Sequence, residues 1–312
     1  MTIIVFGSIN MDLVAKASRL PVAGETLLGY DFLTAPGGKG ANQAVAVARL
    51  GIPTQMVGRV GGDSFGVELV NSLQASGVQT VNVSVDNAVS SGVALISVDD
   101  AGENQMIVVP GANGRVNQED VKRVVNLLPG ATALLLQFEI PMNAVLLAAK
   151  AAREAGVTVI LDPAPAHGDV PDELYTLVDI ITPNEVEASQ LVGFKIDGRE
   201  KAFLAAEKLR DRGVKNAIVK LGAQGVVCAS AEETFFVPAF LVEAVDTVAA
   251  GDAFNGGMAA GLASGLGLRE AVVWGAAAGA LTTMKSGAQP SLPNWGVFKG
   301  FLEERGFGVN SL

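Results

Sequence analysis

The chain has 312 residues, room for roughly two ordinary domains or a single large one. With 49% hydrophobic and 17% charged residues it is too apolar for a disordered chain, and with aromatics at 5% against 37 glycines its core is expected to be aliphatic, with close backbone approaches. Its 22 basic and 32 acidic residues give a net charge of −10, which argues against a sequence-independent nucleic-acid binder.

The rare residues exclude more. A single cysteine, Cys228, cannot form an internal disulfide and fits a reducing cytosol. A single histidine, His167, leaves no HExxH zinc site and at most one Ser–His pair. The N-terminus has no positive region before its apolar run, so no signal peptide is expected. The late apolar stretch 271–284 is too short to span a bilayer. A cytoplasmic protein is predicted, whose chemistry rests on carboxylates, amides and glycines.

The first strand is predicted over residues 3–9. It runs into Gly7-Ser8-Ile9-Asn10-Met11-Asp12, where an extended backbone presents Asn10 and Asp12 on one side. An amide plus a carboxylate suits neighbouring sugar hydroxyls, although two Asx residues closing a strand would look the same. Residues 13–33 are short, extended and punctuated by Pro21, Gly24 and Gly29. Pro36-Gly37-Gly38-Lys39-Gly40-Ala41-Asn42-Gln43 then leads into a helix over 41–50. Its glycines expose backbone N–H groups to a ligand, and no GxxxxGK[ST] loop occurs in the chain.

A strand over 54–60 precedes Gly62-Asp63-Ser64-Phe65-Gly66 and a helix over 65–75. The pentapeptide matches the G-x-S-x-G elbow of hydrolases, with His167 downstream, but Asp63 or Ser64 is equally an ordinary helix cap. Residues 92–98 and 105–109 read as a hairpin around the polar turn 99–104. With segment 13–35, the stretch 90–110 is predicted to form a small sheet projecting as a lid from one α/β domain spanning 1–312.

Helices over 118–128, 143–155 and 201–211 alternate with strands over 133–138, 158–161, 180–182, 217–221 and 225–229. Such alternation, with strands apolar on both faces, predicts an α/β fold with a doubly wound, largely parallel sheet. In such sheets ligands bind beyond the carboxyl ends of strands. Glu139 follows one such end, and Asn184, Glu185 and Glu187 follow another. Asn184 and Glu187 have capping-box spacing, and could also hold Mg²⁺-bound water and phosphate. The turn from Lys220 through Gly222 to Gly225 is a hairpin on which a nucleotide could lie.

Asp246-Thr247-Val248-Ala249-Ala250-Gly251-Asp252 is the most pointed motif. Small residues lead into a helix over 251–267, whose first-turn N–H groups make an anion site. A carboxylate there would repel a phosphate, so Asp252 is either a base for an attacking hydroxyl or a cap. Gly256, Gly257, Gly261 and Gly265 inside this helix are expected to permit tight packing on the sheet.

At these motifs the sequence resembles the ribokinase (PfkB-type) family of carbohydrate kinases over essentially the whole chain. The resemblance rests on two signatures, residues 37–61 with G-G-K-G-A-N and 246–259 with D-T-V-A-A-G-D-A-F-N-G-G, and on GSINMD, IITPNE and SGAQPS. It implies an ATP-dependent kinase, and in its finer pattern one acting on O5 of D-ribose. Asn10, Asp12, Gly38, Lys39, Asn42 and Glu139 match sugar-binding positions, with Asp252 as catalytic base. Asn184, Glu187, Lys220, Gly222, Gly225 and Gly251 match nucleotide positions, Glu187 acting indirectly on Mg²⁺, and Ala250 with Gly251 match the anion hole. Asp246, Val248, Lys285, Gly287 and Ser291 match a monovalent-cation site, usually for K⁺. A homodimer through the lid sheets is implied as well. Lys220 departs from the Thr of some members, and Gly275 and Ala276 stand where others place Asn or His near adenine.

The alternatives are a sister kinase for deoxyribose, a ketohexose, a keto-deoxy sugar acid or a nucleoside. Outside that class stand a serine hydrolase using Ser64 and a non-catalytic sugar sensor.

Overall fold

The computed structural model describes residues 1–166 and 170–308; His167 lies outside them. The strands are β1 (Thr2–Phe6), β2 (Asn10–Lys16), β3 (Asp31–Gly37), β4 (Thr54–Gly61), β5 (Val83–Asp86), β6 (Gly92–Val98) and β7 (Asn104–Val109). They continue as β8 (Ala131–Leu136), β9 (Thr158–Leu161), β10 (Ile180–Ile181), β11 (Asn216–Lys220), β12 (Val226–Ala229) and β13 (Thr234–Val237). The helices are α1 (Lys39–Arg49), α2 (Ser64–Ala75), α3 (Gln118–Leu127), α4 (Met142–Glu154) and α5 (Asp172–Leu177). After them come α6 (Glu185–Val192), α7 (Arg199–Asp211), α8 (Ala250–Ala263), α9 (Leu268–Thr283) and α10 (Trp295–Glu303).

Nine strands form the main sheet in the order β13-β12-β11-β10-β9-β8-β1-β4-β5, parallel from β11 to β5 and antiparallel at β12 and β13. The two-residue period of a strand divides the core. Ile3 and Val5 pack with α1, α2, α8 and α9, while Ile4 and Phe6 pack with α3, α4 and α7 on the other face. Such two-sided burial is why the central strands read as unbroken apolar runs. β2, β3, β6 and β7 form a separate four-stranded sheet in the order β3-β2-β6-β7.

Three details differ from the sequence reading. The first strand ends at Phe6 and not at residue 9, and the extended backbone expected at Asn10 and Asp12 belongs to β2 of the small sheet. Gly265 lies outside α8, at φ +85, beyond the helix end where left-handed backbone is common. The remaining glycines of α8 serve helix–helix packing. A Cβ on Gly256 would sit 2.4 Å from Ala46 Cβ of α1, and one on Gly257 would sit 2.7 Å from Ala278 Cβ of α9. Among the described residues no helix is long and apolar enough to cross a membrane.

Candidate active site

Adjacent parallel strands deliver polar residues to one edge of the main sheet. Ser8 follows β1, Gln137 and Glu139 follow β8, Asp162 follows β9, Asn184 follows β10, and Lys220 ends β11. Two clefts open over this edge. One, of about 630 Å³, is lined by Lys220, Gly222, Gly225 and Gly251, with Phe240, Leu241 and Ala276 among its apolar walls. The other, of about 900 Å³, is lined by Asn10, Asn113, Glu139 and the small-sheet residues Met106 and Val108. Lys39, Asn184, Val186 and Glu187 line both, so the clefts meet there.

Asp252 lines the first of these clefts, within reach of the Lys39 charge common to both, and is buried at the third position of α8. The cap position belongs to Ala249, held at φ 60 and ψ 7 in left-handed backbone, and no side chain caps the helix. Asp252 is therefore no cap. Its Oδ2 accepts from Asn42 Nδ2 at 2.9 Å and its Oδ1 from Gln43 Nε2 at 3.1 Å. Burial pushes its carboxyl up to about 6, with Asp162 adding to the rise and the Lys39 ammonium and the two amides opposing it. A carboxylate at that value is ionised near neutrality yet basic enough to take a proton. Asn42 Oδ1 is buried with no hydrogen-bond partner among the described residues, an acceptor that a hydroxyl donor would satisfy.

The sugar-type residues converge from three elements. Gly38 at φ +89 turns the chain into α1, and a Cβ there would lie 2.7 Å from the Asn10 nitrogen. The turn sets Lys39 at the start of α1 among Asp252, Asp162, Glu139 and Glu187. Burial alone would lower the Lys39 ammonium, but these four carboxylates outweigh it and hold it above its ordinary range. Glu139 Oε2 accepts from Ser8 Oγ at 2.5 Å and from Lys39 N at 3.1 Å. Asn10 Oδ1 accepts from Asn113 Nδ2 at 2.7 Å. Asp12, two residues along β2, is pushed up to about 7 by burial, then by the charges of Glu139 and Asp252.

On the other side, Asn184 and Glu187 form a complete capping box on α6 and also line both clefts. Burial and Asp162 raise the Glu187 carboxyl, and Lys220 opposes the rise. Lys220 Nζ pairs with Asp162 Oδ1 at 3.1 Å, and a Cβ on Gly251 would come within 3.3 Å of that nitrogen. Gly222 opens the short 3₁₀ turn Gly222–Gln224 at φ +51, and Gly225 follows it at φ +116. Ala276 lines the nucleotide-sized cleft, whereas Gly275 packs where a Cβ would meet Phe254 O at 2.8 Å.

Asp246 Oδ1 accepts from Val248 N at 3.0 Å and Oδ2 from Gly287 N at 2.8 Å, drawing those two loops together. Lys285 N donates to Thr282 O and Ser291 Oγ to Ala288 O, each tied within its own turn. Ser64 is an exposed first residue of α2 and lines neither cleft. Asp63 beside it is a cap, accepting from Gly66 N, Ser91 N and Ser91 Oγ. The elbow-like motif is thus a helix start.

Asp162, Gln43, Gln137 and Asn113 were not singled out by the sequence reading. Asp162 follows its strand as Glu139 follows another, so the same rule would have found it. Gln137 is a polar residue in an apolar strand run, which is itself a signal. Asn113 carries no such mark.

Fold and site together define an α/β enzyme with two adjoining clefts over one sheet edge, the buried carboxylate of Asp252 standing in one of them near the lysine common to both. The chain belongs to the pfkB family carbohydrate kinases, whose family pattern matches residues 2–295. It is 39% identical over 302 residues to a ribokinase of Haemophilus influenzae, covering 97% of this chain and 98% of that protein. A deoxyribokinase of Salmonella typhi is 37% identical over 256 residues, or 82% of this chain and 84% of its own length. The structure of Arabidopsis thaliana ribokinase complexed with ribose and ATP matches with a TM-score of 0.88 at 35% identity, covering 96% of this chain and 98% of that one.

Proposed function

We propose that this chain is an ATP-dependent ribokinase that transfers the γ-phosphate to O5 of D-ribose. The observation that carries the reading is Asp252, a buried carboxylate at about 6 on the first turn of α8, lining one cleft near the Lys39 that lines both. Asn10, Asp12, Gly38, Lys39, Asn42 and Glu139 bind the sugar. Asp252 takes the O5 proton as the hydroxyl attacks the γ-phosphorus in line. The phosphate bears its growing charge against the start of α8 at Ala250 and Gly251, where the Ala250 N–H turns from its 3.3 Å contact with Thr247 O, and against the Lys220 ammonium. Asn184, Gly222 and Gly225 hold the nucleotide, and the apolar walls at Phe240, Leu241 and Ala276 take its base.

The donor set fits the ions the family resemblance implies. Mg²⁺ keeps several waters and takes phosphate oxygens as ligands, so it needs only outer carboxylates, which Glu187 supplies. Both Glu187 oxygens already accept from Asn184, which suits an indirect contact. A monovalent cation such as K⁺ takes hard oxygens, and the Asp246 carboxylate beside Val248 and Gly287 fits it, with Lys285 and Ser291 completing the loop. When bound, Mg²⁺ neutralises phosphate charge and K⁺ stiffens the loop before α8.

In this reading the small sheet closes over the sugar as a lid. Its exposed apolar residues, among them Phe32, Leu95 and Ile107, support a homodimer formed through the lids. A free buried Cys228 suits a reducing cytoplasm.

The test is ADP release over a sugar panel with and without K⁺, with ¹³C NMR of the product. Ribose turning over best, phosphorylated at O5, is expected. Better turnover of deoxyribose, a ketohexose, a sugar acid or a nucleoside would replace ribose by that sister substrate.

A further inference from the structure

Gln43 takes no part in the reaction as described above, yet it is buried at the centre of the site. Its Nε2 donates to Asp252 Oδ1 at 3.1 Å and to Asp162 Oδ2 at 3.0 Å. The amide cannot be turned over without loss, because its Oε1 accepts from Gln137 Nε2 at 2.7 Å. Reversal would set an oxygen against two carboxylates and an N–H₂ against another donor.

The arrangement clamps Asp252 from both sides. Asn42 holds Oδ2 and Gln43 holds Oδ1, and each oxygen keeps a second lone pair for a substrate hydroxyl. The same amide nitrogen lies between two like charges, Asp252 and Asp162, while Lys220 pairs with Asp162 at its other oxygen. The base and a cation of the nucleotide cleft are thereby joined through one side chain. A methionine would fill similar space without donors, a glutamate would add a third carboxylate, and an asparagine is one methylene short.

We infer that Gln43 is a positioning residue of phosphoryl transfer, holding the Asp252 carboxylate in its working orientation and joining it to the Asp162–Lys220 pair. The inference rests on the reading of Asp252 as the base of a sugar kinase. The charges that face Asp252 besides Asp162 are Lys39 and Asp12.

The test is Gln43→Met in the full chain, read by two measurements. In protein labelled with ¹³C at aspartate carboxyls, the Asp252 signal is assigned by its loss in Asp252→Asn and titrated. Its midpoint is expected to rise by about one pH unit on losing a donor to the charged form. The acid limb of kcat moves the same way, kcat at pH 6 falls about five-fold, and the KM for sugar stays within about two-fold. A folded Gln43→Met protein with wild-type midpoint and wild-type kcat overturns the inference. Should Gln43→Met fail to fold, Gln137→Met decides, since it touches neither carboxylate and only frees the Gln43 amide. A smaller upward shift supports the clamp, and an unmoved midpoint overturns it. The titration needs no turnover, so an inactive wild-type protein would overturn the kinase reading while a shifted midpoint still upheld the role of Gln43.

Discussion

Asn42 and Asp252 are 210 residues apart in the chain, yet Nδ2 of the one lies 2.9 Å from Oδ2 of the other. One stands on the first turns of α1 and the other on the first turn of α8, and the two helices pack where Gly256 admits Ala46. The small residues that let these helices approach are therefore part of how the acid site is assembled.

Replacing Asp252 by Asn is expected to cut kcat about 10²–10⁴-fold while sugar binding, measured by calorimetry, survives. In the unsubstituted protein kcat is expected to rise with pH through about 6 and then level, because a base at Asp252 works only when ionised. Near-normal turnover in Asp252→Asn would remove it from the role of base.

Asp12 links function to stability. Its carboxyl is raised from 3.8 to about 7 by burial first and by Glu139 and Asp252 next. The folded state binds the proton more tightly than the unfolded state, so this group's contribution to stability is lost as pH rises from about 4 to about 7. Asp12→Asn is expected to melt higher than wild type at pH 8, by on the order of 2 kcal/mol, and to show no gain at pH 4. Its sugar affinity should fall about ten-fold through a lost acceptor. Equal melting curves at pH 8 would refute the strain assigned to this carboxylate.

Gly92 holds a place that no side chain can share. A Cβ there would lie 2.2 Å from Asn113 Nδ2 and 2.3 Å from Asn10 Oδ1. Gly92→Ala should displace Asn10, raise the KM for sugar about ten-fold, and leave the KM for ATP near wild type. Steady-state kinetics in both substrates check this, and equal rises in the two values would point to general unfolding instead.

Asp246 ties the loop before α8 to Gly287. Asp246→Ala should abolish any acceleration by K⁺ over Na⁺ and lower kcat about ten-fold, because the anion site at Ala250 and Gly251 loses its support. Retained K⁺ activation in this variant would move the cation site elsewhere.

The sequence alone was enough to determine the alternation of strands and helices, since strands buried on both faces must be apolar throughout. It also pointed to the polar edge of the sheet, because polar residues directly after apolar strands stand there: Glu139 and Asn184 were legible on that ground, and Lys220 as the start of a glycine turn. The glycine turn before Lys39 and the run of small residues into the helix at Asp252 were legible too, because small residues leave backbone N–H groups open to close approach at a helix start. The tertiary structure decided what each residue faces. Asp252 could be a cap or a base until the fold brought Asn42 and Gln43 to its two oxygens, and Ser64 could be a nucleophile until Asp63 was seen to cap α2. The glycines of α8, read as room for a sheet, turned out to be room for helices. Composition and period report how much each residue is buried, while partners hundreds of residues away are set only by packing. The 37 glycines and the net charge of −10 thus told of close approaches and a field opposed to anions. Only the folded chain showed Lys39, Lys220 and the start of α8 gathered locally against that field.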